Sequence, residues 1–98
     1  MLRITVTDNH DKLTLKLEGR LVEGWVQELW TVLLRTELQH RRFEVDIRDL
    51  SFADEEGEQA LLWLYKMGAK FLGGGSFSEF LCNRLGIPRS QRKEVSRR

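Results

Sequence analysis

VDIRDLSFADEEGEQALLWL, residues Val45 to Leu64, leads from an apolar strand through three consecutive carboxylates into a helix. How the DEE triplet at Asp54 to Glu56 is read decides what kind of α/β chain this is. The simplest reading is a helix start. Asp54 is a favourable N-cap whose carboxylate accepts from the free N–H groups of the first turn, and Glu55 and Glu56 sit at the positive end of the helix dipole. Each such charge is worth about 0.3–1 kcal/mol at an exposed site. The competing reading is a metal or acid/base centre, since Asp46, Asp49, Asp54, Glu55 and Glu56 lie close together around a strand end, where α/β ligand sites gather. Consecutive helical residues diverge by about 100° around the axis, so Glu55 and Glu56 do not share a face as a ligand pair. His10 and His40 fall in a turn and at a helix end, with no spacing that makes either a base or a ligand. Neither a catalytic residue nor a metal or cofactor site emerges, and an enzyme using the acidic cluster is the weakest of the readings.

Working outward, Arg3 to Asp8 (RITVTD) and Lys12 to Glu18 (KLTLKLE) alternate apolar and polar residues around the turn-forming DNHD, which predicts a hairpin. Val22 to Gln39 predicts an amphipathic helix with Val22, Trp25, Val26, Leu29, Val32 and Leu33 on one face. Phe43 to Leu50 is expected as a third strand, Asp54 to Gly68 as a second helix and Lys70 to Leu72 as a fourth strand. GGG at 73–75 breaks the chain, and Ser76 to Leu85 is expected as a third helix stopped by Gly86 and Pro88. The expected order is β-β-α-β-α-β-α: one mixed sheet with helices packed on it.

The 98 residues are 41% hydrophobic and 32% charged, which fits one ordinary globular domain. No apolar run approaches the roughly 18 residues of a membrane span, and MLRITVTDNH alternates where a secretory signal would be apolar. The expectation is a cytoplasmic chain without membrane insertion. Cys82, the only cysteine, is expected as a buried small hydrophobe. The net charge of +1 is uneven: five basic residues and one acid lie from Pro88 onward, against 11 basic and 14 acidic before it. A nucleic-acid partner needs a basic stripe on the folded part, which this distribution does not supply. The domain is therefore drawn at 1–87, with 88–98 as a basic, disordered tail. GGGSFSEF raises the question of a phosphate loop, but it lacks the Lys-Ser/Thr ending, and Ser76 with Glu79 reads as a capping box.

Taken as a whole, Val45 to Leu64 resembles the signature segment of the STAS domain family, shared by sulfate transporters and anti-sigma factor antagonists. Family members run an apolar strand into an Asp, then a hydrophobic pair, then Asp-Ser-Ser-Gly at the start of a helix with an Ala-Leu-Leu run. Here Asp46 matches the strand Asp, Phe52 and Ala53 the pair, and Asp54 and Gly57 the ends of the tetrapeptide. Gly19 after the second strand, and Leu85-Gly86-Ile87 in place of a closing Leu-Gly-Leu, extend the resemblance from Leu2 to Ile87. It implies the anti-sigma factor antagonist fold. In the family the second serine is phosphorylated by a partner kinase that is itself an anti-sigma factor, and phosphorylation releases the domain. Glu56 occupies that position and Glu55 the one before it, so neither accepts a phosphoryl group. A glutamate carries one charge where a phosphoserine carries about −1.5 to −2, an incomplete imitation of the modified state. Glu58, where relatives usually have Leu, is a second departure.

With Gly57, Leu61, Leu64, Tyr65 and Gly68 placed toward the sheet, Glu56, Ala60, Trp63 and Met67 form a stripe on the opposite side of the second helix. An outward Trp and Met beside charge is the composition of a protein-binding patch; the alternative is that Trp63 folds over a neighbouring helix. Trp30, Leu34 and Leu38 form a weaker stripe, read either as a homodimer seam or as packing. The resemblance thus implies a non-catalytic bacterial regulator of transcription. It would work by partner switching against an anti-sigma factor or kinase-like protein, with its partner read by Asp54 to Glu56 and the Trp63 stripe. The alternative is an accessory STAS domain of a lipid or anion transporter, sensing nucleotide at the GGGS turn.

Overall fold

The computed structural model describes residues 1–9, 11–35 and 42–90. Among the described residues nine elements follow one another: β1 (Leu2–Asp8), β2 (Lys12–Leu21), α1 (Glu23–Leu34), β3 (Arg42–Asp46), β4 (Leu50–Ala53), α2 (Glu55–Lys66), β5 (Lys70–Leu72), α3 (Ser76–Leu85) and β6 (Arg89–Ser90). β1 and β2 form the expected antiparallel hairpin, with Leu2 opposite Gly19 and Asp8 opposite Leu13. Every other pairing is parallel, and the sheet runs β1-β2-β3-β5-β6, with β4 also beside β2.

The third strand differs from expectation. Alternation in FEVDIRDL suggested one strand from Phe43 to Leu50, but the chain turns after Asp46. The Asp46 carboxylate accepts the Arg48 backbone N–H at 3.1 Å, and the Leu50 N–H donates to the Ile47 carbonyl at 3.1 Å. An Asp that bonds the backbone two residues on offers the chain a turn in place of a ladder. β3 and β4 consequently lie one after the other along β2, opposite Lys12–Lys16 and opposite Gly19–Leu21.

Leu13, Leu15 and Leu17 of β2, Phe43 and Val45 of β3 and Phe71 of β5 point to one side of the sheet. There they meet Val26, Leu29 and Leu33 of α1, Ala60, Leu61 and Leu64 of α2, and Leu81 and Cys82 of α3 in one core. Burying a Leu or Phe side chain is worth about 1.5–3 kcal/mol, so this shared face is what holds sheet and helices together. The other face of β2 and β3 is polar and carries the Lys12–Glu44 pair at 3.3 Å and the Lys16–Asp49 pair at 3.4 Å.

Helix ends follow the sequence with two corrections. Asp54 caps α2 as expected, but Gly75, not Ser76, is the cap position of α3, and no capping box forms there. The hydroxyl that serves this turn belongs to Ser78, buried, which accepts the Gly74 N–H at 2.9 Å and donates to the Gly75 carbonyl at 3.2 Å. Gly86 ends α3 in the left-handed region at φ 74°, where a side chain is disfavoured, and the Ile87 N–H returns to the Cys82 carbonyl at 2.9 Å. That return buries Ile87, and after Pro88 the chain pairs with β5 through Arg89 and Ser90, so the segment beginning at Pro88 starts within the sheet. α1 ends at Leu34 with Arg35 as its C-cap, short of the expected Gln39, and residues 36–41, with His40 and Leu38 among them, His10 and residues 91–98 lie outside the described residues. Among the described residues no helix is long and apolar enough to cross a membrane.

Candidate functional site

The carboxyl ends of β2 and β4 lie side by side, with Leu21 opposite Ala53, and each strand is followed at once by a helix. Two helix N-termini are thereby brought to one edge of the sheet. Asp54 joins them. Its Oδ1 accepts the Gly57 N–H of α2 at 2.8 Å, and its Oδ2 accepts the Glu23 N–H, the first residue of α1, at 3.0 Å. One carboxylate thus satisfies an unpaired donor on each of two positively poled helix ends. The Asp54 N–H donates to the Leu21 carbonyl at 3.1 Å. Gly57 is required by the same approach, because a Cβ there would collide with the Leu21 carbonyl oxygen. Of the sequence tetrapeptide, Asp54 and Gly57 are therefore structural members that fix the turn.

Glu55 and Glu56 are exposed at that turn, and Glu23 is exposed at the start of α1. The stripe beyond them needs correcting. Ala60 is 1% exposed and belongs to the core with Gly57, Leu61 and Leu64, while Tyr65 and Gly68, expected toward the sheet, are exposed. The helix turns its 57-60-61-64 side inward, and its close approach is at Gly57, against the Leu21 carbonyl. The outward residues that remain are Glu56, Trp63 and Met67. Trp63 does both things the sequence allowed: its ring stands edge-on to Trp30 of α1 at 5.0 Å, and 41% of it stays exposed. Edge-to-face pairs of this kind fix ring orientation and are worth about 0.5–1.5 kcal/mol beyond area burial. The exposed indole is held in place by its neighbour.

On the other flank of α2 a groove of about 600 Å³ is lined by Phe52, Leu62, Phe77 and Phe80, among others. Glu58 lies in it and pairs with Arg84 of α3, Oε2 to Nε at 3.2 Å and Oε1 to Nη2 at 3.3 Å. The departure at Glu58 is thus accommodated by a cation from the next helix. Phe52 is further covered by the Arg20 guanidinium, 4.8 Å above its ring. This groove was not legible beforehand, since Phe77 and Phe80 in SFSEF carry the same spacing as a core face; only the position of α3 against β4 shows that Phe80 remains 58% exposed.

Asp46 is 4% exposed and held by a two-pronged ion pair, Arg48 Nε to Oδ1 at 3.0 Å and Nη2 to Oδ2 at 2.9 Å. Burial pushes its carboxyl up, but the Arg48 side chain, the Arg48 backbone N–H and the nearby Lys16 together bring it below its ordinary value. The strand Asp of the sequence segment thus secures the β3–β4 turn. It is not brought together with Asp54, Glu55 and Glu56 as one constellation: among the described residues no group of three or more His, Cys, Asp or Glu side chains converges as metal ligands.

No family model matches the sequence, and no curated protein sequence does. Solved structures do match its fold. The chain superimposes on the anti-sigma factor antagonist SpoIIAA in its unphosphorylated form with a TM-score of 0.59 and 14% identity, over 96% of this chain and 91% of that one. On the STAS-domain anti-sigma factor antagonist from Rhodobacter sphaeroides the TM-score is 0.52 and the identity 18%, over 76% of this chain and 86% of that one. The molecule has the STAS-type, SpoIIAA-like α/β fold, as the Val45–Leu64 segment led one to expect.

Proposed function

We propose that this chain is a non-catalytic protein-binding domain of the anti-sigma factor antagonist kind, acting in the cytoplasm in a partner-switching system, with a fixed charge at the loop where such domains carry a phosphoacceptor. The observation that carries the reading is the start of α2. Asp54 and Gly57 hold the turn rigidly, Glu55 and Glu56 project from it, and the half-exposed Trp63 stands two turns further along the same helix. A rigid aromatic anchor beside oriented charge is how protein interfaces concentrate binding energy. The partner that fits is an anti-sigma factor or kinase-like protein. The switch, in this reading, is lost at this loop, because a glutamate is neither phosphorylated nor dephosphorylated.

The test is capture from the native cell by the tagged full chain, with the retained protein then titrated against variants. Trp63→Ala is expected to weaken binding by ~2 kcal/mol or more, about 30-fold in Kd, and Glu56→Ser to restore a site that a kinase-like partner phosphorylates. A retained partner indifferent to Trp63→Ala removes the proposed face. If the Glu56→Ser protein stays unmodified in the presence of such a kinase, the switch reading fails even though the face stands.

A further inference from the structure

β1 forms one border of the sheet and, among the described residues, pairs only with β2. The hairpin ends show where its backbone groups point. The Asn9 N–H donates to the Lys12 carbonyl at 2.9 Å, and the Arg20 N–H donates to the Met1 carbonyl at 2.9 Å. Both contacts continue the register that sets Leu2 opposite Gly19 and Asp8 opposite Leu13. Odd-numbered residues of β1 therefore exchange hydrogen bonds with β2, and Ile4 and Val6 turn their N–H and C=O groups to the open border. Natural proteins blunt such borders with short strands, bulges, proline or charged side chains. β1 is seven residues long, proline-free and in unbroken register, and its two charged residues, Arg3 and Asp8, lie toward its ends and leave Ile4 to Thr7 uncharged. The opposite border, β6, is two residues long and follows Pro88.

We propose that β1 pairs antiparallel with β1 of a second copy of this chain, about a two-fold axis through Thr5, joining two sheets into one. In an antiparallel pair, opposite residues either both exchange hydrogen bonds or both do not, so an even-numbered residue must face an even-numbered one. With Thr5 on the axis, Ile4 faces the partner's Val6 and Val6 faces the partner's Ile4, while on the other side of the sheet Arg3 faces the partner's Thr7. Half-buried Ile4 and Val6, 39% exposed, then cover each other as apolar cross-strand pairs, and no like charges are opposed. This axis pairs all seven residues of β1, with Leu2 opposite the partner's Asp8 only at the two ends; moving it to Val6 brings that Asp8 inward against Ile4 and leaves Leu2 and Arg3 beyond the partner's strand, and moving it to Ile4 leaves Asp8 outside the pairing. Opposite residues share a face, so the helices of both copies lie on the same side of the joined sheet. An extended segment of another protein offers the same hydrogen bonds, but this register matches the strand to itself. The proposal is independent of the partner face on α2.

Sedimentation velocity on the full chain, in a dilution series reaching about 1 mM, where specific association fades, reads the oligomeric state. The expected result is a monomer–dimer equilibrium whose Kd rises at least ~10-fold in Val6→Lys, which places a charge on the shared border. Leu34→Lys, on the outward side of α1, is expected to leave it unchanged. In the unaltered chain, amide exchange at Ile4 and Val6 slows with rising concentration, while Thr5 and Thr7, already bonded to β2, exchange at a constant rate. A chain that stays monomeric throughout, including one whose border accepts only an extended segment of another protein, overturns the proposal. So does a dimer indifferent to Val6→Lys, or one whose exchange at Ile4 and Val6 does not follow concentration.

Discussion

Asp54 divides its two carboxylate oxygens between two helices, and this is the residue on which the α2 turn depends. Its cap on α2 was legible from the sequence, because an Asp before a helical apolar pattern has few better places to be. Its cap on α1 was not, since the two residues lie 31 apart and meet only once β2 and β4 are paired. The two roles are separable by substitution. Asp54→Ala leaves both N–H groups without an acceptor and is expected to cost about 2 kcal/mol, roughly 8–16 °C in Tm. Asp54→Asn keeps one carbonyl oxygen, enough for one N–H, and is expected to lose about half as much. Thermal unfolding of the two variants decides it: if Asn matches the parent, one of the two contacts contributes nothing and the double cap is incidental. The same limit on local reading explains Ala60. Spacing alone allowed it on either side of α2, and only the closeness of that helix to the neighbouring elements sends it inward.

At the scale of elements, the sequence showed which segments are strands and helices more faithfully than where they break. FEVDIRDL alternates convincingly, yet Asp46 withdraws it from the ladder by bonding Arg48, and one expected strand becomes β3 and β4. A turn made by a buried Asp and a downstream Arg carries no Gly or Pro to announce it. The device has a consequence for acid stability. Asp46 titrates below its ordinary value when folded, so its contribution is fully present above the unfolded carboxyl pKa, about 3.9 for Asp, and is lost as pH falls through the lower folded value. Arg48 is 38% exposed and the pair is partly screened, so the contribution is on the order of 1 kcal/mol. Urea midpoints of the parent and Asp46→Asn, compared from neutral pH downward, are expected to differ by a constant amount until about pH 4 and to converge below it. Two curves that remain parallel to the lowest pH would show that the Asp46 charge does not stabilise the turn.

At the scale of the whole molecule, the order of strand and helix patterns along the chain, opening with a hairpin, was enough to foresee one mixed sheet with helices on it, and the segment from Val45 to Leu64 carried the resemblance that named the fold. What it did not foretell is the groove beside α2, which depends on where α3 is carried by β5 and the glycines at 73–75. Every helix and strands β1 to β5 contribute to one core, so none has an apolar face of its own to retreat to. Such a molecule is expected to unfold as a unit. Trp25, Trp30 and Trp63 lie on α1 and α2, whereas far-UV circular dichroism reports all elements together. Under dilute conditions the two signals are expected to give superimposable urea transitions. Leu64→Ala, which empties a fully buried position between these helices and the sheet, is expected to shift both by the same 2–5 kcal/mol, a range typical of about one lost core Leu, without changing the slope. A tryptophan transition that runs ahead of the dichroism in either protein would mean that α1 and α2 part from the sheet before it melts, and a partner face built across them would then be only as rigid as that weaker unit.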